Sequence, residues 1–94
     1  MNEAISQNEA ERVKELEQKK HAYKMQRKLE DALNRCSPVK VESRYFVLAY
    51  RFVTFEIRGD LSFLSLEILK KVATINRIVA IGKGKLKIVF QVIK

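Results

Sequence analysis

Residues 18–28 read QKKHAYKMQRK; five of the eleven are Lys or Arg, none is acidic, and the only histidine of the chain, His21, lies among them. Ammonium and guanidinium groups at this density hold anions, above all the phosphates of a nucleic acid. Placed on a helix, Lys20, Lys24, Arg27, Lys28 and Arg35 share one side, with Asp31 the only acid between them. The opposite side carries Ala22, Met25, Leu29, Ala32, Leu33 and Cys36, an apolar stripe at helical spacing. The cations therefore face water or a partner. A plain solvated helix face is the competing reading, although such a face ordinarily mixes both signs of charge. A second basic group stands near the C-terminus, where Lys83, Lys85 and Lys87 flank a Gly82–Lys83–Gly84 turn. A β-ribbon carrying lysines is able to enter a groove of duplex DNA.

Other chemistry has less to build on. His21 and Cys36 are fifteen residues apart and fall on different helix faces, so no nucleophile–base pair follows. Cys36 is the single cysteine, which excludes an internal disulfide and a thiolate cluster. Glu42, Glu56, Asp60 and Glu67 offer carboxylates for a divalent ion, but with no spacing that sets them apart from solvated surface acids. Neither a GxxxxGK[ST] loop nor a GxGxxG turn is present. The expectation is a binding protein: no catalytic residue, no metal, no cofactor and no small-molecule substrate.

What must position these residues is a chain of 94 residues with a net charge of +8 and a hydrophobic fraction of 47%. That is enough apolar material for one folded domain, though with a thin stability margin. The first residues, MNEAISQNEAER, lack the basic and apolar regions of a secretion signal, and the longest apolar run, Tyr45 to Tyr50, is far short of a membrane span. A cytoplasmic protein is expected, with no membrane partner.

Residues 1–36 contain neither Gly nor Pro and only two β-branched residues, Ile5 and Val13, which predicts one long helix, about 50 Å at 1.5 Å per residue. Pro38 disfavours helix at Ser37. Charge is polarised along this helix: −3 over residues 1–17 and +5 over residues 18–29, in the sense the helix dipole favours. Its first half presents a different seam, Ile5, Leu16 and Tyr23 with Val13 nearby, pointing away from the later stripe. The first half is therefore expected either to fray or to pack on something else, a second copy of the chain in a coiled coil being the simplest occupant of that seam.

Residues 37–94 read as a β-α-β-β unit that completes one domain with the helix. VKVESRYFVLAYRFVTFEIR predicts one long strand, interrupted at Arg51 by a bulge or bend. One face carries Val39, Val41, Tyr45, Val47, Ala49, Val53, Phe55 and Ile57; Phe46, Leu48, Tyr50, Phe52 and Thr54 lie on the other. Aromatics interleaved with arginine are also what a single-strand stacking platform presents, but the reading preferred for Tyr50, Phe52 and Phe55 is core or dimer interface. LSFLSLEILKKVATI follows as a helix capped by Asp60 or Ser62, with Leu61, Leu64, Ile68, Leu69, Val72 and Ile75 as its buried stripe. RIVAIG and KLKIVFQVIK close the chain as a hairpin. The expected fold is α+β: a three-stranded mixed sheet, containing a parallel βαβ crossover, with the helices on one face.

These features predict a small dimeric nucleic-acid-binding protein, a regulator or accessory factor of the kind mobile elements and viruses encode, that contacts DNA or RNA backbone through the helix and hairpin cations. The alternative is an adaptor or inhibitor whose long helix docks on an acidic protein, with no nucleic acid involved. An amphipathic helix on anionic lipid is the weaker third reading, because the apolar stripe lacks Trp and Phe and is needed for packing.

Overall fold

The structure, a computed structural model, describes residues 2–36 and 39–93, with side chains described from residue 12 onward. Helix α1 runs Asn2–Arg35 and is followed by β1 (Lys40–Val47), β2 (Phe52–Arg58), α2 (Phe63–Val72), β3 (Thr74–Gly82) and β4 (Lys85–Gln91). The break expected at Ser37–Pro38 falls outside the described residues. The class is α+β, as the alternation of helical and strand periods implies. The sheet, however, has four strands rather than three, in the order β1-β2-β4-β3, and every hydrogen-bonded pair is antiparallel. β2 and β3 do run in the same direction, but β4 inserts between them, so the crossover through α2 creates no parallel pair.

The extra strand arises because residues 39–58 reverse on themselves. Leu48, Ala49 and Tyr50 all adopt positive φ, at 54°, 50° and 68°, and the Arg51 amide donates to the Leu48 carbonyl at 3.1 Å. Three consecutive non-glycine residues in the left-handed region are costly. Packing holds them there: the Tyr50 ring lies 5.0 Å from that of Phe46 and 6.1 Å from that of Tyr23, with Lys19 Nζ 5.8 Å above it. Arg51 is thus the last residue of a turn, not a bulge within one strand. Ala49 is exposed, so Ala49→Gly relieves strain at little cost in packing. Chemical denaturation is expected to show a gain of up to about 1 kcal/mol, opposite in sign to an ordinary Ala→Gly change.

A shift of register between Val41 and Ser43 further alters the face assignment. Val41, Arg44 and Phe46 pair with Ile57, Phe55 and Val53, the residues of β2 turned towards the helices. Tyr45 and Val47, expected beside Val53 and Phe55, stand instead on the opposite surface, across from Thr54 and Phe52.

The core forms where the helices meet the inner face of the sheet. Ala22, Leu29, Ala32 and Leu33 of α1 cluster with Val53, Phe55 and Ile57 of β2, Leu69 of α2, Ile88 and Phe90 of β4, and Val92. Phe55 and Phe90 meet edge-on at 5.9 Å, a favoured aromatic geometry. Cys36 is buried at the end of the α1 stripe, its thiol 3.1 Å from the Ala32 carbonyl. On α2, Ser62 is the N-cap, its hydroxyl accepting from the Ser65 amide at 3.1 Å. This helix is shorter than its apolar residues imply and is turned differently: Ser65 and Leu69 are buried, Leu64 and Ile68 remain 74% and 51% exposed, and Ile75 belongs to β3. With 34 residues against strands of seven to nine, α1 outruns the sheet, and the molecule measures 57 × 23 × 17 Å. No helix is long and apolar enough to cross a membrane.

Candidate nucleic-acid interface

Packing of the α1 stripe on the sheet turns the other side of the helix outward. Lys20, Lys24, Arg27, Lys28 and Arg35 are all exposed there. The ion pairs among the described residues are Arg44–Glu30, Arg58–Glu42 and Lys70–Glu67, so none of the five cations, nor Asp31 between them, is engaged in one. The row runs along roughly 22 Å of helix axis at 1.5 Å per residue. Near its N-terminal end, a cleft of about 690 Å³ between α1 and the β1–β2 turn adds Arg12, Lys19 and Arg51, beside Glu15, Leu16 and Tyr50.

The hairpin cations do not join this row. Lys83 sits in the β3–β4 turn, while Lys85 and Lys87 pair across strands with Arg58 and Glu56, on the sheet surface that faces away from both helices. Helix and sheet cations are therefore separated by the core, a relation fixed by strand phase and invisible in the spacing of the lysines. The outer sheet surface carries four cross-strand rows: Lys40, Arg58, Lys85 and Gly82; then Ser43, Glu56, Lys87 and Val79; then Tyr45, Thr54, Val89 and Arg77; then Val47, Phe52, Gln91 and Thr74. One end is basic and the other aromatic and apolar. Tyr45 is 40% exposed and Phe52 half-buried; both belong to the stretch of aromatics interleaved with arginine, but reading residues 39–58 as one strand did not bring them beside Arg77.

The remaining candidates are dispersed. His21 Nε2 lies 3.1 Å from the Val92 carbonyl, a bond that ties α1 to the end of the sheet when that nitrogen carries the proton. Glu56 accepts from the Ser43 hydroxyl, Glu67 pairs with Lys70 at 3.6 Å, and Glu42 accepts from Arg58 Nε at 2.9 Å. Among the described residues no three His, Cys, Asp or Glu side chains gather as a metal site. The Arg58 hydrogen bond holds the Glu42 carboxyl below the usual glutamate range, against a smaller opposing effect of desolvation. A lowered pKa contributes stability above the ordinary carboxylate range, and that contribution is lost as pH falls through the lowered value. A carbon-13 NMR titration is expected to show a midpoint for Glu42 below that of a free glutamate, and Arg58→Ala to raise it.

Of the expected dimer seam, Val13 and Leu16 are 52% and 56% exposed. Tyr23, 45% exposed, is partly taken up within the monomer, its ring edge-on to Phe46 at 5.0 Å. The side chain of Ile5 lies outside those described. A further apolar surface, absent from the sequence reading, appears where Phe63, Leu64 and Ile68 of α2 are left uncovered near the edge strand β3. No family model, curated protein or solved structure matches the chain.

Proposed function

We propose that this protein binds nucleic acid through the phosphate backbone, with the outward face of α1 as its principal contact. The observation that carries this reading is the row Lys20, Lys24, Arg27, Lys28 and Arg35: five exposed cations on one helix face, none in an ion pair with an acid among the described residues. A helix of this kind lies along a groove or across a phosphate ridge, and each contact releases condensed counterions. Contacts of this kind to phosphate position the protein and carry no sequence information of their own. Lys83, Lys85 and Lys87 form a separate basic surface on the far side of the sheet. The same row also fits an acidic groove on another protein, the alternative function, in which the chain acts as an adaptor or inhibitor.

Fluorescence anisotropy with labelled mixed-sequence duplex DNA, single-stranded DNA and RNA over a salt series separates the two. Binding that weakens steeply with salt is expected. Absence of binding to every probe at low salt overturns the nucleic-acid reading in favour of a protein partner.

Homodimerisation is part of the proposal. Val13 and Leu16 of the seam precede the basic row, while Tyr23 falls within it and lines one groove with Lys20, Lys24 and Arg27. Two copies joined at Val13 and Leu16 bring their basic rows into one continuous positive stripe. Sedimentation analysis is expected to give twice the monomer mass for the wild type and the monomer mass for Leu16→Lys. The matched change on the other apolar surface, Leu64→Lys with Ile68→Lys, is expected to leave the mass unaltered.

A further inference from the structure

We infer that the outer surface of the sheet is a binding platform for single-stranded nucleic acid, distinct from the α1 row. The inference rests on the nucleic-acid reading above and specifies which form of nucleic acid this second surface takes. Three observations carry it. The first is charge: Lys40, Arg58, Lys85, Lys87 and Arg77 share this surface with Glu56 and with Glu42, which pairs with Arg58, and the other four cations are in no ion pair among the described residues. The second is aromatic character. Tyr45 and Phe52 occupy neighbouring strands next to Val47 and Val89, around a shallow groove of about 270 Å³ that Arg77 and Lys87 also line. A flat ring beside a cation holds a base by stacking and its phosphate by charge, whatever the base.

The third observation is Thr54. It lies in the floor of this groove, on the outer face of a central strand between Tyr45 and Val89, and is fully buried. Its hydroxyl has no hydrogen-bond partner, the only such buried side-chain atom among the described residues. A buried polar group left unpaired is destabilising and calls for a physical account. A base edge or sugar hydroxyl entering beside Tyr45 supplies the missing partner. Unpaired nucleotides offer such edges; in a duplex the base faces that Tyr45 and Phe52 would stack on are covered. A second copy of the chain is disfavoured as the occupant, because it would set this cationic surface against itself.

The test uses the full chain and fluorescein-labelled oligo(dT) and oligo(U) of twenty nucleotides, with a twenty-base-pair duplex alongside. Two-dimensional NMR of the labelled protein is expected to show oligo(dT) moving the amides of Tyr45, Thr54, Arg77 and Val89. Tyr45→Ala with Arg77→Ala is expected to lower oligo(dT) affinity about tenfold or more, with thermal melting confirming that the variant folds. Thr54→Val, nearly the same shape, is expected to melt no lower than the wild type and to lose several-fold in oligo(dT) affinity. Duplex binding on α1, with single strands moving α1 amides only, overturns the platform and leaves the proposed function standing. Failure of all three probes to bind removes the proposed function and the platform together. A dimer that Tyr45→Ala with Arg77→Ala converts to monomer assigns the surface to self-association and likewise overturns the inference.

Discussion

Charge reversal at Lys20, Lys24 and Lys28 together is expected to lower affinity for mixed-sequence duplex DNA about a hundredfold or more near 0.1 M salt. The three side chains are exposed and lie within one row on the outward face of α1. If each neutralises one phosphate, removing all three flattens the slope of log K against log salt by about 2.7, since each contact contributes about 0.9. Reversal, as opposed to removal, adds repulsion and deepens the loss. The fold is expected to survive, because glutamate and lysine have similar helix propensities and none of the three contributes to the core. Circular dichroism of the variant is thus expected to match the wild type while anisotropy titrations separate them. Retained affinity with an unchanged salt slope would move duplex binding off α1.

The second large effect concerns stability. Phe55→Ala is expected to cost about 3–5 kcal/mol. Phe55 is fully buried on the inner face of β2, stacked edge-on with Phe90 and enclosed by the cluster that includes Leu29, Leu33 and Leu69. Its truncation leaves a cavity at the one place where α1, α2 and the sheet converge, and the secondary structure around it resists collapse. Domains of this size have a total stability of about 5–15 kcal/mol, so a large part of the margin disappears. Urea denaturation followed by circular dichroism measures the change as a shift in midpoint, and an unchanged slope shows that the unfolded state is not altered. A loss below about 1 kcal/mol would mean that α1 is not docked on this face. The contrast with Ala49→Gly, expected to stabilise, is informative: one residue lies in the packed core and the other in the left-handed turn.

The two proposed surfaces lie on opposite sides of one core. The helix row suits a continuous phosphate ridge, and the sheet platform suits unpaired bases.

Some of this was legible in the residues alone. The second half of α1 has a clean 3.6-residue period, so Ala22, Leu29, Ala32 and Leu33 are buried where spacing predicts, and Lys20 to Arg35 face outward. Gly82 and Gly84 mark the β3–β4 hairpin, and Ser62 caps α2. These are local matters of period, turn chemistry and capping, which neighbouring residues determine. The reversal at residues 48–51 could not be read, because Leu48, Ala49 and Tyr50 carry none of the glycine or asparagine by which a left-handed turn announces itself. Contacts of Tyr50 with Tyr23, 27 positions earlier, and with Phe46 hold it in place. The register shift beside Glu42 moved Tyr45 to the outer face, and insertion of β4 between β2 and β3 set Lys85 and Lys87 beside Arg58 and Glu56. Strand phase alternates with every residue, so a single bulge or turn exchanges the two faces of everything beyond it. Composition and helical period therefore determine that the chain is basic, α+β and led by a charged helix; only the pairing of distant strands decides that its cations divide between two opposite surfaces and that Thr54 lies unpartnered beneath one of them.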